Sequence, residues 1–506
     1  MSVPDTWSMC LLEDVVEVHD ELRQPVNAEE RSQRVGEYPY YGATGQVGWI
    51  DDYLMDGEYI LLGEDGAPFL DPTKPKAYRV EGKTWVNNHA HVLRGIEGLL
   101  TNRFLLHALN CTDYREFANG TTRLKLTQGA MRRIPLSVPP LPEQHRIVEK
   151  IEELFSDLDA GVASLERAKA NLKRYRASVL KSAVEGRLTE EWRKEHPQTE
   201  DGPILLDRIL RERREKWEKD QLAQFKKKGK EPPKNWQSKY EEPAAPGTSE
   251  LAELPAGWVW ATVEQVASND DWAITDGPFG SNLKTEHYTS CGPLVIRLQN
   301  IGDGYFKRDD AHISDEHFAG LQRHAVVHND IVVAMLGEAL PRACLVPEEI
   351  PPAIVKADCV KVTVNGTACI PAFLMRVLNS QPTRRRSSLH IAGVGRPRMN
   401  LQKLRPLPIP LPPFAEQEQI VALVEERLSQ IDSAEKTIDS ELIRAKRLRQ
   451  SILKTAFEGK LVPQNPNDEP ASVLLERITT RGGQEQPKNT TKARKYAALR
   501  LKGGRA

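Results

Sequence analysis

A stretch of about 50 residues occurs twice in this chain, and both copies carry the pattern of one long helix. Residues 139–188 read PPLPEQHRIVEKIEELFSDLDAGVASLERAKANLKRYRASVLKSAVEGRL, and residues 412–461 read PPFAEQEQIVALVEERLSQIDSAEKTIDSELIRAKRLRQSILKTAFEGKL. The two align without a gap over about 50 positions with roughly 20 identities, far more than two unrelated helices of similar composition share. Each copy opens on prolines, which cannot continue a preceding strand, and runs on without a helix breaker. Ile151, Leu158, Leu165, Leu172 and Val179 recur every seven residues, as do Val424, Ile431, Ile438, Ala445 and Ile452 in the second copy. That spacing is a coiled-coil seam. At 1.5 Å per residue, a helix of about 45 residues is roughly 68 Å long, too long for the core helix of an ordinary domain. Each copy ends in Glu-Gly, where glycine suits a helix C-cap.

A fainter repeat precedes each long helix. Val3-Pro4-Asp5-Thr6-Trp7 matches Leu254-Pro255-Ala256-Gly257-Trp258, and Glu13 and Val15 match Glu264 and Val266. The offset between copies is about 251 here and about 273 in the helices, so the second globular segment carries some 22 extra residues. The repeating unit is a globular domain followed by a long helix.

The balance of 70 Lys and Arg against 71 Asp and Glu excludes a wholly basic nucleic-acid wrapper, so any nucleic-acid surface is local. Met1 to Leu12 lacks a basic start followed by an apolar core, and no apolar run is long enough to span a bilayer; a soluble, cytoplasmic protein is expected. Cys10, Cys111, Cys291, Cys344, Cys359 and Cys369 form no CxxC pair, so reduced, mostly buried thiols are expected.

The expected fold class is α+β: two mixed α/β globular domains alternating with two long antiparallel coiled-coil helices, in a pseudo-two-fold internal repeat. The divisions fall at 1–138 and 254–411 for the domains, and 139–188 and 412–461 for the helices. Tyr38 to Trp49 and Tyr59 to Gly66 read as short strands with tight turns, Phe104 to Ala108 as a helix and Ile134 to Val138 as a strand. In the second domain Pro293 to Leu298, Asp330 to Met335 and Val360 to Val364 read as strands, and Ile370 to Leu378 as a helix. Residues 189–253 hold a charged helical run from Ile204 to Phe225 and then a linker-like composition; 462–506 end in a basic tail.

The proline-led starts, the Glu143-Gln144 with Ile147-Val148 and Glu416-Gln417 with Ile420-Val421 pairs, and the shared LKxAxEGxL ends make up a recognisable architecture. It resembles the specificity subunit of type I restriction-modification enzymes over nearly the whole chain. Tyr40 to Gly48 (YYGATGQVG), Gly63 to Gly66 (GEDG) and Trp85 to Leu93 (WVNNHAHVL) look like one common type of recognition domain in that family. Val295 to Ile301 and Asn329 to Met335 carry a looser version, and the charged stretch from Glu190 to Glu253 departs from the pattern. The resemblance implies target-recognition domains that each read one half of a split DNA site, held apart by helices that dock two modification (methyltransferase) subunits and, with them, restriction/translocase subunits. It implies no catalysis and no cofactor in this chain; S-adenosylmethionine, ATP and Mg belong to the partners. Glu143, Gln144, Glu416 and Gln417, with the seam residues named above, are the expected partner-docking and spacer positions.

For DNA contact, Arg123, Lys125 and Arg132 align with Arg396, Arg398 and Arg405. Their repetition points to a structural role or a phosphate contact, since bases are read by parts that differ between domains. Tyr40, Tyr41, Thr44, Gln46, Asn87, Asn88 and His89 are the candidate readers in the first domain. Asn282, Lys284, Arg297, Gln299, Asn300 and Arg342 are those of the second, because amides suit adenine and arginine suits guanine. Arg384, Arg385 and Arg386 form a basic run that is either a solvated loop or a phosphate contact.

Three catalytic patterns are set aside. Ala77-x-x-x-x-Gly82-Lys83-Thr84 lacks the strand and helix that a phosphate loop needs. Asp71 with Glu81 and Lys83 is a spacing common in highly charged chains, and His89-x-His91 has no third metal ligand. The other reading that remains is a coiled-coil scaffold whose two domains bind protein partners.

Overall fold

The computed structural model describes residues 3–197, 200–247, 251–388 and 397–482. These form two compact units, one built from the chain up to Arg167 together with the chain from Thr437, the other from Ala168 to Lys436. The division falls inside both long helices, Leu141–Val184 and Phe414–Phe457, each an unbroken 44 residues. Each helix stops where the sequence places glycine: Gly186 and Gly459 both have φ of 69°, a left-handed conformation that closes the last turn without a Cβ clash.

In unit 1 the strands are β1 (Ser8–Leu11), β2 (Val16–Val18), β3 (Tyr38–Gly42), β4 (Gly45–Ile50) and β5 (Met55–Asp56). They continue with β6 (Tyr59–Gly63), β7 (Ala77–Val80), β8 (Lys83–Val86), β9 (Ala90–Gly95) and β10 (Pro135–Val138). One sheet has the order β2-β9-β6-β7 and the other β4-β3-β8-β5, with β3 and β8 parallel. β1 and β10 pair antiparallel, so the two ends of the globular segment meet just before the long helix begins. The helix Asn102–Cys111 covers the first sheet, and Phe104, Leu105 and Leu109 enter a core shared with Trp7, Ile60, Leu93 and Ile147.

Unit 2 runs β11 (Val259–Thr262), β12 (Ile274–Asp276), β13 (Tyr288–Ile296), β14 (His312–Ile313) and β15 (Ala325–Val326). It continues with β16 (Ile331–Ala334), β17 (Arg342–Leu345), β18 (Ala353–Val355), β19 (Cys359–Val362) and β20 (Pro408–Leu411). Its sheets are β12-β19-β16-β17 and β14-β13-β18-β15, with β13 and β18 parallel and β11 paired to β20. Strand for strand this is the order of unit 1. The largest gain of the second segment is at one place: Ala43 and Thr44 alone join β3 to β4, whereas residues 297–311 join β13 to β14. The helix Pro371–Asn379 takes the place of Asn102–Cys111.

The heptad seam is used within each unit. Val424, Ile431, Ile438, Ala445 and Ile452 are buried, as are Ile151 and Val179, while Leu158, Leu165 and Leu172 are half-buried. In unit 1 the helices run antiparallel, with Ile151 in one core with Ile452 and Asp159 paired with Arg449. In unit 2, Arg176 reaches Asp432 and lies 3.1 Å from Glu435, while Thr189, just past the first helix, meets Glu416 at the head of the second.

Glu143, Gln144, Glu416 and Gln417 are 0–1% exposed, which corrects their assignment as partner-docking positions: a side chain sealed in its own unit offers nothing to another subunit. Glu416 accepts from the Trp258 indole (2.9 Å), the Thr189 hydroxyl (2.7 Å) and Arg193 (3.0 Å). Glu143 accepts from Trp7 (3.0 Å) and Gln464 (2.6 Å). Gln144 donates to the carbonyls of Leu99 and Pro139 and accepts from the Thr101 amide. Gln417 repeats this with Ala368, Pro412 and Ile370. The linker-like stretch after the first helix is partly core: the helical run forms Gly202–Lys227, and its Leu205 and Ile209 are buried.

Removing a buried carboxylate strands its donors. Glu416→Ala leaves an indole and a hydroxyl unpaired and the Arg193 guanidinium without its counter-ion, and is expected to cost about 3 kcal/mol, against about 2 kcal/mol for Glu143→Ala, which strands no cation. Urea unfolding of the full chain, followed by tryptophan fluorescence, measures the difference.

Candidate nucleic-acid interface

In unit 1 four pieces of chain meet at one end of the sheets. They are the β3–β4 turn, the β8–β9 turn (Asn87 to His89), the chain leaving β6 (Glu64 to Gly66), and the stretch from Arg123 to Leu126. Backbone hydrogen bonds join them: the Asn87 amide to the Tyr41 carbonyl, Glu64 to His89, Gly66 to Leu124 and Leu126 to Glu64. Gly66, at φ of 78°, lets the Arg123 side chain lie where a Cβ would stand, 2.6 Å from its Nε. The structure thus brings together Tyr41, Thr44, Asn87, Asn88, His89, Arg123 and Lys125 from three separate stretches of sequence. Thr44, Gln46, Asn88, Arg123 and Lys125 are exposed; Tyr41 and His89 are half-buried.

Tyr40 does not belong with them. It is 1% exposed, and its hydroxyl is held by the amide and carbonyl of Val26, 3.0 and 3.2 Å away, so no base can reach it. Asn87 is largely buried; its side-chain carbonyl caps the His89 amide at 2.8 Å, which shapes the turn and leaves Asn88 as the exposed amide there. His91 is fully buried between Asp20 (2.8 Å) and the Leu126 carbonyl (2.9 Å), an internal tie with no free nitrogen for a metal. Lys83 and Thr84 lie within strand β8, so the loose phosphate-loop pattern has no helix to follow it.

The same end exists in unit 2. Leu336 bridges to Arg398 where Asp65 bridges to Lys125. The long β13–β14 connection brings Arg297 and Gln299 here, and Arg342 at the start of β17 donates to the Leu298 carbonyl at 3.2 Å. Gln299 and Arg398 are exposed, and Arg297 and Arg342 are half-buried. Asn300 is fully buried, its amide bonded to the Lys307 and Asp309 carbonyls; it builds the loop and cannot read a base. Arg384 braces the same loop through Asp303 (2.9 Å). Arg385 is exposed. Arg386 is turned the other way, over Trp260 (5.1 Å) and toward the Pro408 carbonyl, so it serves the β11–β20 base instead of DNA. Asn282 and Lys284 lie on the separate β12–β13 connection, where the Asn282 carbonyl accepts from His317. Arg396 lies outside the described residues.

The repeated basic residues are ion-pair partners. Arg132 meets Glu13 at 3.8 Å and Arg405 meets Glu264 at 2.6 Å, the acids being the repeated pair already seen in the sequence. Lys125 pairs with Glu64 (3.2 Å), Arg123 with Asp65 (2.8 Å) and Arg398 with Asp358 (2.7 Å). Arg132 and Arg405 therefore fasten the base of each unit, while the other three sit at the opposite, loop end. Lys356, in the β18–β19 turn matching Asn87 to His89, escaped the sequence reading, because only the strand correspondence reveals its place.

Beneath this end of unit 1, Arg23 bridges Asp20 (3.1 Å) and Glu64 (2.6 Å). Burial acts to raise both carboxyls, but the hydrogen bonds and charges of His91, Arg23 and, for Glu64, Lys125 outweigh it and hold both below their ordinary values. A depressed folded-state pKa gives stability that is complete above the unfolded value, about 4, and is lost as pH falls through the folded one. Unit 1 is expected to lose stability steeply below about pH 4, with Glu64→Gln flattening that dependence. Thermal melts of the two proteins from pH 6 down to pH 3 check it.

Residues 4–167 match the family model described as the type I restriction modification DNA specificity domain. The chain is 26% identical over 455 residues to the EcoDI specificity subunit of Escherichia coli, covering 88% of each. It is 28% identical over 397 residues to the Escherichia coli EcoBI specificity subunit, covering 76% of this chain and 72% of that one. A chain solved in work on complex assembly and conformational transition of the type I R-M system shares the fold, with a TM-score of 0.61, 15% identity, and coverage of 91% of this chain and 100% of that one.

Proposed function

We propose that the chain is a specificity subunit of a type I restriction-modification system, as its likeness to such subunits supports, and that it reads a bipartite, asymmetric DNA site, one half with each unit. The observation that carries this reading is one strand order presenting different loops at the same end, with Thr44 and Asn88 there in unit 1 and Arg297, Gln299 and Arg342 in unit 2. A shared scaffold sets how each unit meets the duplex, and the divergent tips set which bases it accepts. Related units with different tips imply half-sites of different sequence.

The chain itself performs no chemistry in this reading. It docks two modification subunits, one for each repeat, and through the assembled complex the restriction/translocase subunits; S-adenosylmethionine, ATP and Mg act there. The long helices are spacers that hold the half-sites a fixed number of base pairs apart. The compartment is the cytoplasm, and among the described residues no helix is long and apolar enough to cross a membrane.

Positioning and reading separate by mutation. Lys125→Ala is expected to weaken binding to every duplex and to reduce the slope of log K against log salt by about 1, whereas Asn88→Ala relaxes one base position by about 1–3 kcal/mol. Sequencing the methylated sites made by the reconstituted modification complex identifies the position. A Lys125→Ala complex that changed the methylated motif while keeping its nonspecific binding would refute the division of roles.

A further inference from the structure

Each long helix is followed by a shorter one docked on the adjacent globular part. In unit 2 this is Gly202–Lys227, whose Gly202 amide donates to the Gly257 carbonyl at 2.7 Å. In unit 1 it is Ala471–Gly482, whose Ala471 amide donates to the Thr6 carbonyl at 3.1 Å. Thr6 and Gly257 are equivalent positions of the VPDTW and LPAGW repeats, so the short helices are copies as well.

The copy in unit 2 has 26 residues against 12, and its packing uses only the first part. Arg213 donates to the Glu264 and Ala267 carbonyls, and Lys216 reaches Asn269 and Asp270. Beyond these anchors, Lys226, Lys227, Lys228, Lys230, Lys234 and Lys239 lie within fourteen residues that contain one acid, Glu231. All six are exposed, and none takes part in an ion pair among the described residues.

This segment is mounted. Past the helix end the chain turns back so that Trp236 stacks on Trp217, with ring centroids 5.8 Å apart, while Tyr240 packs on Trp217 at 5.3 Å and Phe225 meets Trp236 edge-on. A favourable helix C-terminus accounts for Lys226 and Lys227 in the last turn, but its influence ends within a turn and leaves Lys230, Lys234 and Lys239 without a reason. In a chain of net charge −1, six cations against one acid within residues 226–239 form a local positive potential. The sequence after the unit 1 copy has the same character: residues 483–506 carry seven basic residues and one acid.

We propose that residues 226–239 are a second, sequence-independent DNA contact, binding phosphates of the duplex outside the half-site that unit 2 reads. The inference rests on the reading of the preceding subsection that the chain binds duplex DNA. The residue types choose the partner: lysines are point charges suited to phosphates and lack the planar fork that reads guanine. The aromatic rings of the segment are stacked on one another and are not offered to unpaired bases, which favours a duplex over a single strand.

The test uses the full chain assembled with its modification subunits. The variant combines Lys226→Gln, Lys227→Gln, Lys228→Gln and Lys230→Gln. Binding is measured over a range of KCl concentrations on two duplexes of equal length, one with the methylated target and one without. The expected result is an equal fractional loss of affinity on both duplexes and a log–log salt slope shallower by about 3 to 4, one step of about 0.9 for each phosphate lost. The matching four-fold Lys→Arg variant keeps the wild-type slope. A Gln variant with the wild-type slope overturns the proposal, as does a loss confined to the target duplex. An unchanged slope accompanied by loss of a subunit from the complex overturns it in favour of an acidic protein face. If the unmodified complex binds neither duplex, the preceding reading falls together with this one; if it binds and only the variant comparison fails, this inference alone is refuted.

Discussion

The scaffold depends on two carboxylates buried at the heads of the long helices. Glu143 and Glu416 are at most 1% exposed, a position that costs several kcal/mol unless donors surround the charge. The donors come from distant parts of the chain. Glu416 collects the opening tryptophan of its globular segment, Trp258, together with Thr189 and Arg193 from the segment after the first long helix. Glu143 collects Trp7 and, from the segment after the second long helix, Gln464. Each carboxylate therefore fixes three strands of connectivity at one point, and the neighbouring glutamine ties the same helix head to the start of the helix that covers the sheet.

With its base fastened in this way, each unit is free to vary at the other end. Strands in a buried sheet must keep register, since a one-residue slip turns the whole apolar set to the wrong face. A hairpin tip carries no such constraint, and lengthening it costs little closure entropy. The β3–β4 turn of two residues and the β13–β14 connection of residues 297–311 sit at matching places on matching strands. The loops can diverge there while the order of strands does not.

The electrostatics follow the same division. Arg132 with Glu13 and Arg405 with Glu264 recur because the base recurs. At the loop end Lys125, Arg123 and Arg398 are also paired with acids, so each cation is pre-positioned by a carboxylate and still exposed on its other side, a geometry that would suit the proposed phosphate contact better than a roaming side chain. Among the described residues the lysines of 226–239 have no such partners, and their attraction for an anion is correspondingly less directed.

Much of this was legible in the chain itself. The gapless repeat, the seven-residue spacing from Ile151 to Val179 and from Val424 to Ile452, and the Glu-Gly stops determine two long helices ending where they do, because helical periodicity and left-handed glycine are local properties. The β-branched and aromatic runs likewise give the strands at Tyr38, Tyr59, Ile331 and Cys359. What the sequence could not decide is which polar residues face outward. Tyr40 and Tyr41 are adjacent, yet one is sealed against Val26 and the other is half-exposed at the loop end; Asn87 and Asn88 divide in the same way, and Asn300 is buried beside exposed Gln299. Glu143 and Glu416 read as helix-surface acids until the folded chain closes over them. For Glu143 and Glu416 that burial is settled by donors brought from more than a hundred residues away, which only the tertiary structure assembles; Asn87 and Asn300 bond close in sequence, but which of two adjacent polar residues turns inward depends on the loop that the fold builds around them.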